Sequence, residues 1–377
     1  MTYDYLVIGA GSAGLQLCLR MLEDPYFLEK KIGLLEKDID SAPDKTWCYW
    51  EIGHGRWDHL IDHQWSQGFF AGGGEEIVLD LSPYQYKKLN AGKFFRFARK
   101  KIEESGKIDW IADEVVDVQF QDTVKIHGQN SNYQSYHVFD SRIDPDFYEN
   151  QSCKKIWQHF KGWEIRTKEP SFDPNKFTMM DFRIKYNNST TFTYVLPTSS
   201  TTALVEFTFF TPFMIDDHTY DLYLKKYIDN ILKIREYTID REEKGIIPMT
   251  DYPFYKNHQE KVTKIGTAGG WVRPSSGYSF RNSQRFVTKL IKNLKNNLPP
   301  HHGIGHNRFR TYDTIFLDLL EKHNEMGEEL FTSMYTKNKI QQIFRFLDEE
   351  SSFLQDIYFI STFEKWPFLK AAARSFS

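Results

Sequence analysis

Apolar residues first gather at Tyr5-Leu6-Val7-Ile8, an unbroken run of the kind carried by strands buried on both sheet faces. From Ser12 to Glu23, Leu15, Leu19 and Leu22 recur at helical spacing, and Ile32-Gly33-Leu34-Leu35 restores a buried strand. The chain therefore opens as a βαβ unit. Between Trp47 and Gly92 turn formers are too dense for one regular element, which predicts loops and short strands. Lys93 to Ser105 predicts a basic helix. Val115 to Phe120 alternates like a half-exposed strand ahead of His137-Val138-Phe139-Asp140. Thr191 to Leu196 and Ala203 to Phe210 are rich in β-branched and aromatic residues and predict an antiparallel sheet within 177–211. Tyr220 to Tyr237 reads as a helix, Lys264-Ile265-Gly266 ends another strand, and Ser279 to Leu298 reads as a basic helix. Beyond Pro299-Pro300 the pattern is helical throughout.

The 377 residues allow two or three domains with extensive cores. With 48 Lys+Arg against 51 Asp+Glu the net charge is −3, which offers no field for gripping a phosphate backbone and argues against nucleic acid. Three cysteines, Cys18, Cys48 and Cys153, make no CxxC pair and point to a reducing, cytoplasmic setting without structural metal. Met1 to Asp4 lead straight into the first strand with no basic leader. No apolar window reaches the ~18 residues of a spanning helix, so membrane contact is expected to be peripheral. The unusual quantity is ring surface. Phe, Tyr and Trp number 31, 21 and 9, 16% of the chain, in a sequence of mean hydropathy −0.56.

Gly9-Ala10-Gly11-Ser12-Ala13-Gly14 fits G-x-G-x-x-G between a strand and a helix, where the first glycine makes the turn, the second admits a pyrophosphate and the third packs helix on strand. Glu36, at the end of the second strand, sits where a carboxylate binds an adenosine ribose. A second cluster, Gly266 to Gly270 followed by Pro274-Ser275-Ser276-Gly277-Tyr278, also lies between strand and helix. Such a late segment can turn backbone amides toward a flavin ring, with Gly269, Gly270, Ser276, Gly277 and Tyr278 as the candidate contacts. Position at the N-terminus favours FAD over an exchanging nicotinamide, although the fingerprint itself does not choose.

The fingerprint, Lys45-Thr46-Trp47, Val138 to Arg142, Trp157 to Trp163, Met180 to Arg183, Tyr194 to Pro197, Leu204 to Thr208, Ile247-Pro248-Met249, Pro274 to Phe280 and Phe344 to Asp348 occur together in an order that resembles the bacterial lycopene β-cyclases. The resemblance runs over nearly the whole chain. It implies an α/β flavoprotein of the hydroxylase and geranylgeranyl-reductase layout: a Rossmann-type FAD-binding domain (1–75, 93–165, 245–300), an interleaved antiparallel-sheet substrate domain (76–92, 166–244) and a C-terminal helical region (301–377). It further implies a non-redox enzyme at the membrane surface that closes the ends of lycopene, or another linear carotenoid, into β-ionone rings, with reduced FAD and NAD(P)H as its electron donor. Val116 joins the cofactor contacts on the same basis.

Closing a polyene end needs a proton donor, walls that exclude water and a base for the last proton. Glu206, in an apolar strand where desolvation favours the protonated form, suits the first role; by composition alone a solvent-facing glutamate is the ordinary reading. Many relatives have a second acid directly after it, where this chain has Phe207. Arg142, Asp181 and Arg183 are expected near the site, with a structural ion pair as the other reading. Competing functions are a flavin monooxygenase or geranylgeranyl-reductase-like oxidoreductase, although Gly266-Thr267 stands where hydroxylases usually have Gly-Asp, and a non-catalytic isoprenoid carrier. The tail from Lys339 to Ala373 interleaves apolar and charged residues, fitting either a helix packed on the core or one laid on a bilayer.

Overall fold

The computed structural model describes residues 2–39, 43–120, 122–305 and 307–363. Among these residues the strands form three sheets. The opening apolar run becomes the Thr2–Ile8 strand, flanked in parallel by Ile32–Glu36 and Asn132–Asp140. Ile108–Ala112 and Val262–Lys264 extend the parallel part, and Val124–Gly128 with Val115–Phe120 adds an antiparallel edge, seven strands in all. Helices Ser12–Glu23, Ala91–Ser105 and Phe280–Lys295 cover one face, where Leu15, Phe94 and Leu290 share a core with Val7 and Leu34. On the other face Leu6, Ile8 and Leu35 share a second core with Val124 and Val138, so the central strand has no wet side, hence its uninterrupted apolar run.

The second seven-stranded sheet runs in the order Tyr237–Thr250, Lys155–Thr167, Thr202–Thr211, Thr191–Pro197, Lys176–Asp181, Gln67–Gly72, Glu75–Asp80. All its pairings are antiparallel except Lys176–Asp181 with Gln67–Gly72. Thr202–Thr211 is buried at every position. Its Val205, Phe207 and Phe209 pack on the Asp217–Tyr227 helix, while Leu204 and Phe210 face the opposite core. Helices Asn307–Lys322, Gly327–Lys337 and Ile340–Leu347 close that core with Leu317, Phe331 and Phe344. The small sheet of Thr46–Ile52, Tyr84–Asn90 and His63–Trp65 supplies Trp50, Trp65 and Tyr86 to the same core. Much of the excess ring surface is therefore spent between the antiparallel sheet and the C-terminal helices.

Two expectations need correction. The helix expected over 220–237 gives way after Tyr227 to one π-helical turn, Ile228–Leu232, and Tyr237 opens a long strand. That strand is an edge, where Arg241, Glu242, Lys244 and Pro248 are tolerated, so its charges hid it. The short strands expected between Trp47 and Gly92 are Thr46–Ile52, His63–Trp65, Gln67–Gly72, Glu75–Asp80 and Tyr84–Asn90, each paired in a sheet. The divisions expected at 75/76, 165/166 and 244/245 fall inside a hairpin and two single strands, each continuous with the antiparallel sheet. Alternating polar residues on half-covered strands carry no mark of which sheet takes them. Among the described residues no helix is long and apolar enough to cross a membrane; of the expected tail, residues 364–373 lie outside the described residues.

Candidate active site

At the first glycine turn Gly9 has φ +98°, and a Cβ there would meet Ser141 Oγ at 2.1 Å. A Cβ on Gly14 would lie 2.0 Å from the Gly9 carbonyl oxygen, so helix and turn touch only because that position is bare. Nothing lies within 4 Å of the equivalent point on Gly11, and the helix it caps has no side-chain cap. The first-turn amides, Ser12 and Ala13 among them, thus face open space with positive dipole ends. Glu36 accepts hydrogen bonds from the amides of Ala10 at 2.6 Å and Lys37 at 2.9 Å, which fixes its carboxylate beside the turn. Val116 starts from the same edge, where the Asp113 amide donates to the Glu36 carbonyl, but its side chain is exposed.

The late glycine segment follows Val262–Lys264 as a short 3-10 helix, Gly266–Gly269. A Cβ on Gly266 would stand 3.3 Å from Ala13 Cβ, so this segment packs directly on the first. Gly270 and Gly277 both have positive φ, and at Gly277 a Cβ would meet Gln158 Oε1 at 2.1 Å. Gln158 Oε1 and Ser276 Oγ are buried polar atoms with no hydrogen-bond partner. Orphaned acceptors and donors of this kind imply a polar group that belongs there. Tyr278 carries the segment to the small sheet: its hydroxyl lies 3.0 Å from that of Tyr86 and its ring meets Trp50 edge-on at 4.6 Å.

Glu206 stands at the centre of Thr202–Thr211, with Tyr194 beside it on one neighbouring strand and Gly162 on the other. Thr208 Oγ1 donates to its Oε1 at 3.0 Å. Burial, reinforced by the Glu243 carboxyl nearby, pushes its pKa up to about 8. Glu206 is therefore an acid that still holds its proton at neutral pH. Tyr194 and Tyr278, both close to it, also border a cavity of about 90 Å³ walled by Trp50, Met179, Phe331 and Phe344. Phe359, Ile360 and Phe363 continue the wall toward the surface. Burial raises both phenols well above their ordinary range, so they remain neutral ring faces.

The other expected acids and bases are elsewhere. Asp181 is aligned with Thr193, and Thr193 with Phe207, which places it on the sheet face opposite Glu206. There it accepts from Tyr227 at 2.7 Å and holds Arg183, which also reaches Glu76 at 2.8 Å. Asp181 and Arg183 thus form a structural ion pair rather than part of the acid's surroundings. Arg142 is bonded to Asp140 at 3.0 Å and to the Val115 carbonyl at 3.2 Å, at the carboxyl edge of the parallel sheet. Missed in the sequence were Gly162 and Glu243. Glu243 is one of five consecutive charged residues, 240–244, whose pattern reads as a solvated run; only strand register brings it to Glu206. Among the described residues no cluster of His, Cys, Asp or Glu could hold a metal ion.

A parallel-sheet nucleotide cradle joined to an antiparallel sheet capped by helices defines a known class of flavoprotein fold. A geranylgeranyl bacteriochlorophyll reductase-like protein of Thermoplasma acidophilum superposes with TM-score 0.64 at 14% identity, covering 99% of each chain. A flavoprotein/dehydrogenase of Cytophaga hutchinsonii gives 0.60 at 13%, covering 92% of each. A variant of the halogenase PltM in complex with FAD gives 0.62 at 10%, over 99% of this chain and 85% of that one. At such identities the likeness is one of fold. Within that class, residues 4–373 match the lycopene cyclase protein family, and the chain belongs to it. No curated protein matches the chain.

Proposed function

We propose that the protein closes the linear ψ-ends of lycopene into β-ionone rings, giving β-carotene by way of γ-carotene, with Glu206 as the proton donor. The observation that carries this reading is a carboxyl group whose burial lifts its pKa to about 8, set beside tyrosines that border an aromatic cavity. Its proton would add to the terminal double bond, the next double bond would close the ring on the cation, and a ring proton would leave. The isomerisation is redox-neutral. Aromatic walls suit the cation because they exclude water and offer π-faces instead of nucleophilic oxygens.

FAD suits the double glycine cradle. Gly9, Gly11, Ser12, Ala13, Gly14 and Glu36 would hold its dinucleotide half, and Gly269, Gly270, Ser276, Gly277 and Tyr278 its ring. Bound there and reduced at the expense of NAD(P)H, FAD would supply negative charge to stabilise a developing cation. Loading from a membrane surface is supported by the Phe353–Ser361 helix, whose Phe353, Leu354, Ile357 and Tyr358 are exposed while Ile360 faces the cavity.

Co-expression in lycopene-producing bacteria tests the reading. Red cells should turn orange with the wild-type chain and stay red with Glu206→Gln. Red cells with the wild type overturn it, and oxygen consumption with NAD(P)H in the purified protein would move the assignment to a monooxygenase.

A further inference from the structure

The registers of three neighbouring strands set Glu206, Gly162 and Glu243 in one row across the antiparallel sheet. Directly paired residues point to the same face, and the middle one has no side chain. The two carboxyl groups therefore face each other over it, close enough for Glu243 to raise the proton affinity of Glu206. A Cβ on Gly162 would stand 3.3 Å from Glu243 Cγ and 3.5 Å from Glu206 Cβ, so a methyl group there would press on both.

The two acids have unlike partners. Glu243 pairs with Arg241 at 2.9 Å and accepts from Thr46 Oγ1 at 2.7 Å. Arg241 is held in turn by Asp44 at 2.8 Å and Glu164 at 3.4 Å. Among the described residues no cation pairs with Glu206, whose remaining neighbours are the Thr208 hydroxyl, the phenols of Tyr194 and Tyr278 and the half-buried Cys48 thiol. Lys88, which faces Cys48, is paired with Glu164 at 3.5 Å. Two buried carboxyl groups in contact cannot both give up their protons cheaply, and the one that pairs with a cation is the one that stays charged.

We propose that Glu243 is the positioning carboxylate of the proton-transfer site: anchored by Arg241 and Thr46, it accepts a hydrogen bond from the Glu206 carboxyl group across Gly162 and keeps the proton there until substrate takes it. This rests on the cyclase reading above. During turnover the Glu206 O–H bond breaks as a C–H bond forms at the terminal alkene, leaving two facing carboxylates beside a cation. Their mutual repulsion makes Glu206 a strong base, and it recovers a proton from the ring carbon as the last C–H bond breaks. No electron is gained or lost. The missing second acid of the Phe207 position is thus supplied from two strands away.

The test is the pH dependence of Glu243→Gln. Wild-type cyclisation should fall as pH rises through about 8, as Glu206 loses its proton. Without the facing charge that limb should move down by ~1 pH unit or more, with β-carotene still the product at low pH. Infrared titration of the protonated carboxyl band, absent in Glu206→Gln, reads the same shift without turnover. Should a lone Arg241 unfold the chain, the double variant Arg241→Gln/Glu243→Gln leaves that pair uncharged and carries the same expectation. An unmoved limb or an unmoved infrared titration overturns the proposal. Absence of cyclisation in the wild type overturns the cyclase reading instead, while the infrared shift still decides the pair.

Discussion

Glu206 carries an unusual protonation equilibrium with consequences for stability as well as chemistry. Its pKa is raised from 4.5 to about 8 by burial first and by Glu243 second, so the folded chain binds a proton that the unfolded chain releases. A raised pKa of this kind contributes stability that is complete below the unfolded value and lost as pH climbs through the folded one. Comparing thermal unfolding of wild type and Glu206→Gln isolates that contribution. The variant should gain relative to wild type as pH goes from about 4.5 to about 8, and a pH-independent difference would contradict the burial of a protonated carboxyl. The acid itself was legible through the family resemblance of Leu204 to Thr208, whereas composition alone favours a solvent-facing glutamate. Its partner was not. Glu243 belongs to a run of charges, and nothing local separates the member that turns inward from those that turn outward.

Among elements, the contrast between central and edge strands decided what could be read. Thr202–Thr211, covered on both faces, is plain in the sequence; Tyr237–Thr250, open along one edge, is not, and its first residue, Tyr237, reads as a helix end. The Phe353–Ser361 helix shows the same duality in one turn. Asp356 and Phe359 are buried, Ser352 caps the first turn, and Leu354 is 77% exposed. Leu354→Asp should leave unfolding within ~0.5 kcal/mol of wild type yet abolish flotation with phospholipid vesicles. Flotation unchanged by that charge would remove this helix as the membrane contact.

At the scale of the molecule, the cradle and the C-terminal helices are tied by buried charge. Arg273, in the late glycine segment and 2% exposed, pairs with Asp313 at 3.1 Å and Glu349 at 2.7 Å, both from the helical region. Burial holds Asp313 up at about 6 despite that arginine. Arg273→Ala leaves two acids unpaired and should cost about 3–5 kcal/mol in chemical denaturation; a loss below ~1 kcal/mol would mean that the helices hold without the clamp. The βαβ opening, the double glycine cradle, the acid in its apolar strand and the helical tail are local patterns of spacing and burial, and the sequence alone determined them. Which strands share a sheet, which face of that sheet Asp181 takes, and that Gly162 lets Glu243 reach Glu206 depend on register between segments far apart in the chain. Register is set by side-chain packing across strands, and only the tertiary structure decides it.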